Sequence, residues 1–324
     1  MKKNTCPLRI QSHPGKKLSD HKRLVVGLML AMASVSGAAL AQESSEPFSI
    51  SGSLEAGTEY NSNVSVSELE SASGESDMAA AIDAALDMNW KPSERVSVDA
   101  GYSLTSRRYD DFDAFDLDMH LLYGDVSYDF EQFTLGANYY YADAELGGDD
   151  FLTLKQQSLY AGKLLNDSLY LRGALNFSDK DFNNFSARNA DSEGVSVDAF
   201  WFFNQGQSTV VLGYAFDNED TRSAAFAYDA DTLRARFTHR FAWNGRESNV
   251  QLGGRAQFRD YKGITPSIGR PRDDRQFVVD ARVEVKLMPW LSVFGNVERG
   301  DYSSRLSSAD YTENRIGAGL KLAF

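Results

Sequence analysis

From Phe48 to the C-terminus, apolar and polar residues alternate with a period of two in one run after another. Phe48, Ile50, Leu54, Ala56 and Tyr60 are interleaved with Ser49, Ser51, Ser53, Glu55 and Glu59. Val96, Val98, Ala100, Tyr102 and Leu104 alternate with Ser97, Asp99, Ser103 and Thr105. At the end of the chain Ile316, Ala318, Leu320, Leu322 and Phe324 fall on one side, and Arg315, Gly317, Gly319, Lys321 and Ala323 on the other. Neighbouring side chains of an extended strand point to opposite faces, so each run is a strand with one apolar face. The segment Ile82–Trp90 is rich in alanine and looks helical by propensity. Its alternation of Ile82, Ala84, Leu86, Met88 and Trp90 with Asp83, Asp87 and Asn89 favours a strand instead.

Residues 1–41 read as a secretory signal peptide rather than as part of the fold. Seven basic residues precede or open the apolar run Leu24–Ala33, and an Ala39-Leu40-Ala41 cleavage site follows. The single cysteine, Cys6, lies in that leader without a lipobox, so the mature chain, 42–324, has no disulfide or thiolate chemistry. Removing the leader takes the formal net charge from −13 to −19. Such acidity argues against nucleic acid as a partner. After Gln42 no stretch is long and apolar enough for a membrane helix. The mean hydropathy of −0.40 would suit a soluble protein. A transmembrane barrel has the same signature, because only every second residue meets lipid.

The connections alternate in length. Short ones, rich in Pro, Asn and Gly, lie at 91–94, 130–132, 166–168, 204–207, 244–247 and 288–290. Long ones lie near 61–77, 107–116, 142–151, 178–193, 217–230, 260–275 and 299–310. Short inner turns and long outer loops are the pattern of a transmembrane antiparallel β-barrel, here of about fourteen strands with both termini periplasmic. Trp90, Tyr128, Phe130, Phe133, Trp201, Phe203, Trp243, Trp290 and Phe324 adjoin the short turns, as an interfacial aromatic girdle requires. A soluble β-sandwich also alternates, but needs neither signal peptide nor girdle. The segments Met119–Phe130 and Leu152–Leu165 alternate less cleanly, and the Ser/Glu-rich stretch Ser62–Asp77 reads as a flexible outer loop.

The polar faces would line the lumen. Toward the C-terminus they carry Arg234, Arg236, Arg240, Arg255, Arg259, Arg282, Lys286, Arg315 and Lys321, partly balanced by Asp280, Glu284 and Glu298. Toward the N-terminus they carry Glu55, Glu59, Asp83, Asp87 and Asp99. This predicts a basic wall facing an acidic wall across the pore, a transverse field that selects polar or charged solutes. The alternative is a lumen filled by mutually paired charges. Acidic clusters at Asp110–Asp116, Asp149–Asp150, Asp179/Asp181 and Asp217–Asp220 are expected in outer loops facing lipopolysaccharide, and none has the spacing of a calcium loop. The basic loop with Arg259, Lys262, Arg270, Arg272 and Arg275 contacts lipid phosphates or folds inward. The mature chain has two histidines, His120 near a strand end and His239 on lipid-facing parity, neither well placed as a catalytic base. No enzyme activity, cofactor or metal is expected.

The last strand resembles the closing strand of bacterial outer-membrane barrels. That resemblance implies an outer-membrane location in a Gram-negative cell. It also implies that Ile316, Leu320, Leu322 and Phe324 form a signal read by the barrel-assembly machinery. The first strand runs into Gly57-Thr-Glu-Tyr-Asn-Ser-Asn-Val64. This motif resembles the start of the barrel domain in surface lipoprotein assembly modifiers and of barrels attached to exopolysaccharide exporters. Those proteins carry an N-terminal periplasmic repeat domain that is not seen in this sequence. Three functions are expected: a porin-like channel for small hydrophilic solutes, a translocator for lipoprotein or polysaccharide cargo, or a non-conducting structural or adhesive barrel.

Overall fold

A computed structural model describes residues 47–324 apart from 67 and 69, so the signal-peptide reading lies outside the described residues. The strands are β1 (Phe48–Asn61), β2 (Ser65–Val66), β3 (Ser71–Ala72), β4 (Asp77–Ser93), β5 (Val96–Tyr109), β6 (Leu117–Asp129), β7 (Thr134–Leu146) and β8 (Asp149–Asn166). They continue as β9 (Leu169–Phe182), β10 (Ala190–Phe203), β11 (Ser208–Thr221), β12 (Tyr228–Trp243), β13 (Arg246–Tyr261), β14 (Asp273–Met288), β15 (Leu291–Ser304) and β16 (Tyr311–Ala323). All except β2 and β3 form one closed antiparallel barrel of fourteen strands. The Ala-rich segment is strand β4, as its alternation predicts. Closure leaves no unpaired edge, which a structure immersed in lipid requires.

Closure is made by β1 on β16, in a register running from Ser53 opposite Ala323 to Asn61 opposite Arg315. Phe324 extends the seam: its amide donates to the Gly52 carbonyl, and its carbonyl accepts from the Gly52 amide, both at 3.0 Å. Its ring is 82% exposed at the foot of the apolar face. The outward face of every barrel strand is a belt of exposed apolar side chains, among them Leu86, Val197, Leu212, Leu233 and Ile316. In water such a continuous patch would drive aggregation; in a bilayer it is the solvated surface. The protein is therefore an outer-membrane β-barrel.

The barrel strands are 13 to 18 residues long, more than the roughly 9–11 that cross a hydrocarbon core. The surplus continues the barrel beyond the membrane and corrects two sequence-based expectations. Asp179 and Asp181 stand on β9, and Asp217, Glu219 and Asp220 on β11, rather than in loops. The long loop expected at 142–151 is a two-residue turn, Gly147-Gly148, with φ of +59° and +83°. Left-handed backbone at both central residues matches the twist of a hairpin and favours glycine. Asn244-Gly245 makes the equivalent turn on the inner side, at +51° and +74°.

Candidate functional site

Lumen-facing side chains form the site, together with the loop that crosses its outer mouth. The described residues between 62 and 76 do not extend into solvent as the flexible outer loop read from composition. They fold inward as the small hairpin β2–β3. Val64 and Val66 are fully buried in an apolar cluster with Phe115, Leu117, Met119, Leu121, Leu152 and Leu154. Those leucines and Met119 occupy lumen-facing positions at the outer ends of β6 and β8. They explain the poor alternation there: at that height the lumen face is apolar while the outward positions Asp118, His120, Thr153 and Lys155 are polar, the reverse of the pattern lower on the strands. Burying each valine stabilises the inward position by about 1.5–3 kcal/mol.

The near side of the hairpin is tied to β16. Glu313 accepts from Asn61 Nδ2 at 2.7 Å and from Ser65 Oγ at 2.6 Å. The far side is tied by Glu70, whose side chain is 5% exposed. Its carboxylate is 3.2 Å from Arg188 and 3.8 Å from Arg259, and is bonded more closely by Arg272 and by the Tyr261 hydroxyl. Burial by itself would push the Glu70 carboxyl up, but the Arg188, Arg272 and Arg259 charges together prevail and hold it at about 2. The loop thus has anchors on β16, on the β6–β9 wall and on the β13–β14 wall, and it spans the mouth. Of the two alternatives for the basic loop, Arg272 takes the inward one.

Below the loop, every lumen residue expected from the sequence lies on an inward-facing strand position, but closure rearranges the two walls. Because β1 pairs with β16, Glu55 stands directly opposite Lys321 in the register. Arg282 Nη2 lies 2.9 and 3.0 Å from the two Glu55 oxygens, and Lys321 Nζ lies 3.4 Å from Glu55 and 3.5 Å from Glu284. Arg315 bridges Glu313 at 2.5 Å and Glu298 at 3.5 Å. The glutamates of β1 therefore sit among the bases of β14 and β16 and not across from them. Glu59 lines the same cavity as Glu55 and Arg282, nearer the outer end of β1.

An opposed arrangement survives elsewhere. In the barrel order β5 is seven strands from β12 in either direction. Asp83, Asp87 and Asp99 on β4 and β5 thus face the side that carries Arg234, Arg236 and Arg255. Each acid has a local partner: Asp83 is 3.0 Å from Arg107, Asp87 accepts from the Tyr123 hydroxyl at 2.8 Å, and Asp99 accepts from Asn89 at 2.6 Å. Opposite them Arg234 is 2.6 Å from Asp198, and Arg236 is 3.9 Å from Asp280. Near the inner rim Arg240 donates to the Gly206 carbonyl at 3.3 Å, and Lys286 is 2.7 Å from Glu247. Paired charge dominates the lumen, leaving two cavities of about 350 and 420 Å³ that share Arg236 and Asp280 in their walls.

Both histidines take outward positions. His239 stacks between Phe237 and Phe241 and bonds Ser208 Oγ at 2.8 Å, and His120 bonds the Tyr102 hydroxyl at 2.7 Å. Sequence reasoning missed the mouth: Val64, Val66, Glu70, Arg188 and Glu313. The available signals were the Val64-Ser65-Val66 pair inside a Ser/Glu-rich stretch and the inverted alternation at the outer ends of β6 and β8, apolar at lumen parity and polar outside.

Among solved structures, the chain is similar to in-vitro folded OmpT, an outer membrane protein of Vibrio cholerae, in its trimer form. The two are 11% identical over 86% of this chain and 100% of that one, with a TM-score of 0.50. It is also similar to an anion-selective porin from Comamonas acidovorans (11% identity, 86% and 99% covered, TM-score 0.44) and to a bacterial polysaccharide outer membrane secretin (10%, 84% and 97%, 0.44). At such identities the likeness concerns the fold alone. No curated protein matches the sequence. The sequence model of the surface lipoprotein assembly modifiers matches residues 51–295, from within β1 into β15. With the match spanning most of the barrel, the chain belongs to the surface lipoprotein assembly modifier family.

Proposed function

We propose that this barrel serves the surface display of a lipoprotein, as an outer-membrane component whose lumen is shut at rest, and that it has no enzymatic role. The observation that carries this reading is the inward loop, anchored on three sides of the mouth by Val64/Val66, Glu313 and Glu70. A general diffusion pore needs a continuous aqueous path, whereas a device for occasional cargo needs a barrier that yields on demand. Family membership supports the same reading. A polysaccharide cargo is the related alternative. Lipid and lipopolysaccharide around the apolar belt belong to this proposal. So does recognition of Ile316, Leu320, Leu322 and Phe324 by the barrel-assembly machinery.

A second reading, a channel for small hydrophilic solutes, is favoured by the two charged cavities in the lumen. One experiment separates the two. In a strain lacking this gene, surface lipoproteins are quantified by protease shaving of intact cells, and uptake of small solutes is measured in parallel. Loss of at least one surface lipoprotein with uptake unchanged supports display. Unchanged surface lipoproteins with reduced uptake overturn it in favour of the channel.

A further inference from the structure

Arg172, Asp198, Gly213, Arg234 and Arg255 are successive register partners across β9 to β13. They form one inward-facing row with three guanidiniums and a single carboxylate. Arg234 takes that carboxylate, with Nη2 at 2.6 Å and Nε at 3.1 Å from Asp198 Oδ1, across the space left by Gly213. Arg172 and Arg255 have no ion pair among the described residues, and the Nε of each is buried without a hydrogen-bond partner. The Arg172 guanidinium is held over the Tyr160 ring at 4.0 Å, and the Tyr160 hydroxyl is itself committed to Asp125 at 2.7 Å. Both arginines line the cavity of about 350 Å³.

The same cavity contains a third unsatisfied atom, the buried Oδ1 of Asn138. Asn138 is four residues outward along β7 from Thr134, which aligns through Gly162 with Arg172. That is about 13 Å of strand, less the reach of an arginine. From the Asn138 level inward the wall is neutral and polar: Ser158, in Asn138's own row, donates to Asn176 at 2.8 Å, and one inward-facing row below, Ser196 accepts from Asn176 at 3.1 Å and Thr232 from Gln257 at 3.0 Å. Glu68 of the inward loop also lines the cavity and its charge acts on Arg255; Glu219 is engaged with Lys180 at 2.6 Å and Asp280 with Arg236 at 3.9 Å. Asp217 aligns with Gly194 and Ala230, two rows outward of the arginines. The inner end of the cavity thus offers two guanidinium donors in a low-dielectric wall. The outer end offers the Asn138 carbonyl acceptor, with Asp217 in the same register row four strands away.

We propose that this cavity is a binding site for a small polyhydroxylated carboxylate, a sugar acid. Its anionic group points inward onto Arg172 and Arg255, and a hydroxyl donates to Asn138. Charge-assisted hydrogen bonds are the strong ones, and a buried polar group left unpaired is costly. A ligand that supplies one anion and one donor compensates both unpaired guanidiniums and the Asn138 carbonyl. A cavity of this size matches sites for small ligands. The site is independent of whether the barrel displays lipoproteins or conducts solutes.

The test is calorimetric titration of the purified, folded full-length barrel with glucuronate, glucose and inorganic phosphate. It is run on the natural chain and on Glu70→Gln, in which the loop tip is expected to leave the mouth. Glucuronate is expected to bind, with glucose and phosphate each at least about tenfold weaker. Arg172→Gln with Arg255→Gln should weaken glucuronate about 100-fold and Asn138→Ala about tenfold, with heat-modifiable gel migration confirming a folded barrel. A galacturonate oligomer titrated alongside identifies the source: tighter monomer binding indicates a free solute, and tighter oligomer binding a polysaccharide end. No glucuronate binding in either background overturns the proposal. So does equal binding of glucose or phosphate, or undiminished binding by folded variants.

Discussion

Glu70→Gln is the substitution that most directly tests whether the inward loop is a closure. The carboxylate is 5% exposed and faces three guanidiniums, with Arg188 at 3.2 Å, Arg259 at 3.8 Å and Arg272 in direct contact. Glutamine keeps the shape and can still accept from Tyr261, but it removes the one carboxylate that all three share, leaving Arg272 its second partner Asp274 at 3.3 Å. Removing one partner of a buried ion pair costs about 3–5 kcal/mol, most of it from stranding the opposite charge. The depressed Glu70 carboxyl gives a second measure. A shift from 4.5 to about 2 corresponds to about 3 kcal/mol favouring the inward position. The two agree, and they translate into a shift of about 10²- to 5 × 10³-fold toward the detached loop tip. The valine pair and the Glu313 bonds remain, so the tip should leave the β13–β14 wall while the base of the hairpin stays seated. Single-channel recording in planar bilayers reads this out. The natural barrel should show a quiet baseline with rare openings, and Glu70→Gln long or continuous openings. Identical recordings from the two proteins would refute the closure, and so would steady open steps from the natural barrel.

Three further outcomes follow from the same contacts. Glu70 is depressed in the closed state, so its contribution is complete above the ordinary carboxylate value of 4.5 and is lost as pH falls toward about 2; open probability should be flat above pH 5 and climb as the pH is lowered from there, and a response confined to neutral pH would contradict this. Val64→Asn with Val66→Asn should remove about 3–6 kcal/mol of apolar anchoring and raise conductance even with Glu70 intact, detectable in the same recordings. Leu212→Arg places a charge on the belt where Leu212 is 55% exposed, and should destabilise the inserted barrel by about 2–4 kcal/mol if near the midplane, measured as a lower urea midpoint for unfolding from vesicles.

The extent to which the fold was readable differs sharply between the strands and the mouth. Strand β4 was legible despite its alanines because alternation is a property of neighbours in sequence, and lipid enforces it residue by residue. The same applies to the inward parity of Arg234, Arg282 and Glu55. The height at which strands stop was less legible. Asp179 and Asp217 look like loop residues by composition, yet hydrogen bonds to β8, β10 and β12 carry them on as strand above the bilayer. Gly147-Gly148 hid a tight turn inside an apparent loop, because either conformation suits glycine.

By itself the sequence determined the compartment, the barrel and which side chains turn inward, since each depends on a period-two pattern and a terminal strand that are local. Tertiary structure alone decided which inward charges meet. Glu55 and Lys321 are 266 positions apart and become register partners only because the barrel closes. It also decided the state of the mouth. A Ser/Glu-rich stretch has no intrinsic reason to fold inward. Its described residues do so because Leu117, Met119 and Leu152 offer an apolar surface, and because Arg188, Arg259 and Arg272 converge from three separate segments on one carboxylate. Those partners are distant in sequence, and only the closed ring brings them within reach of Glu70.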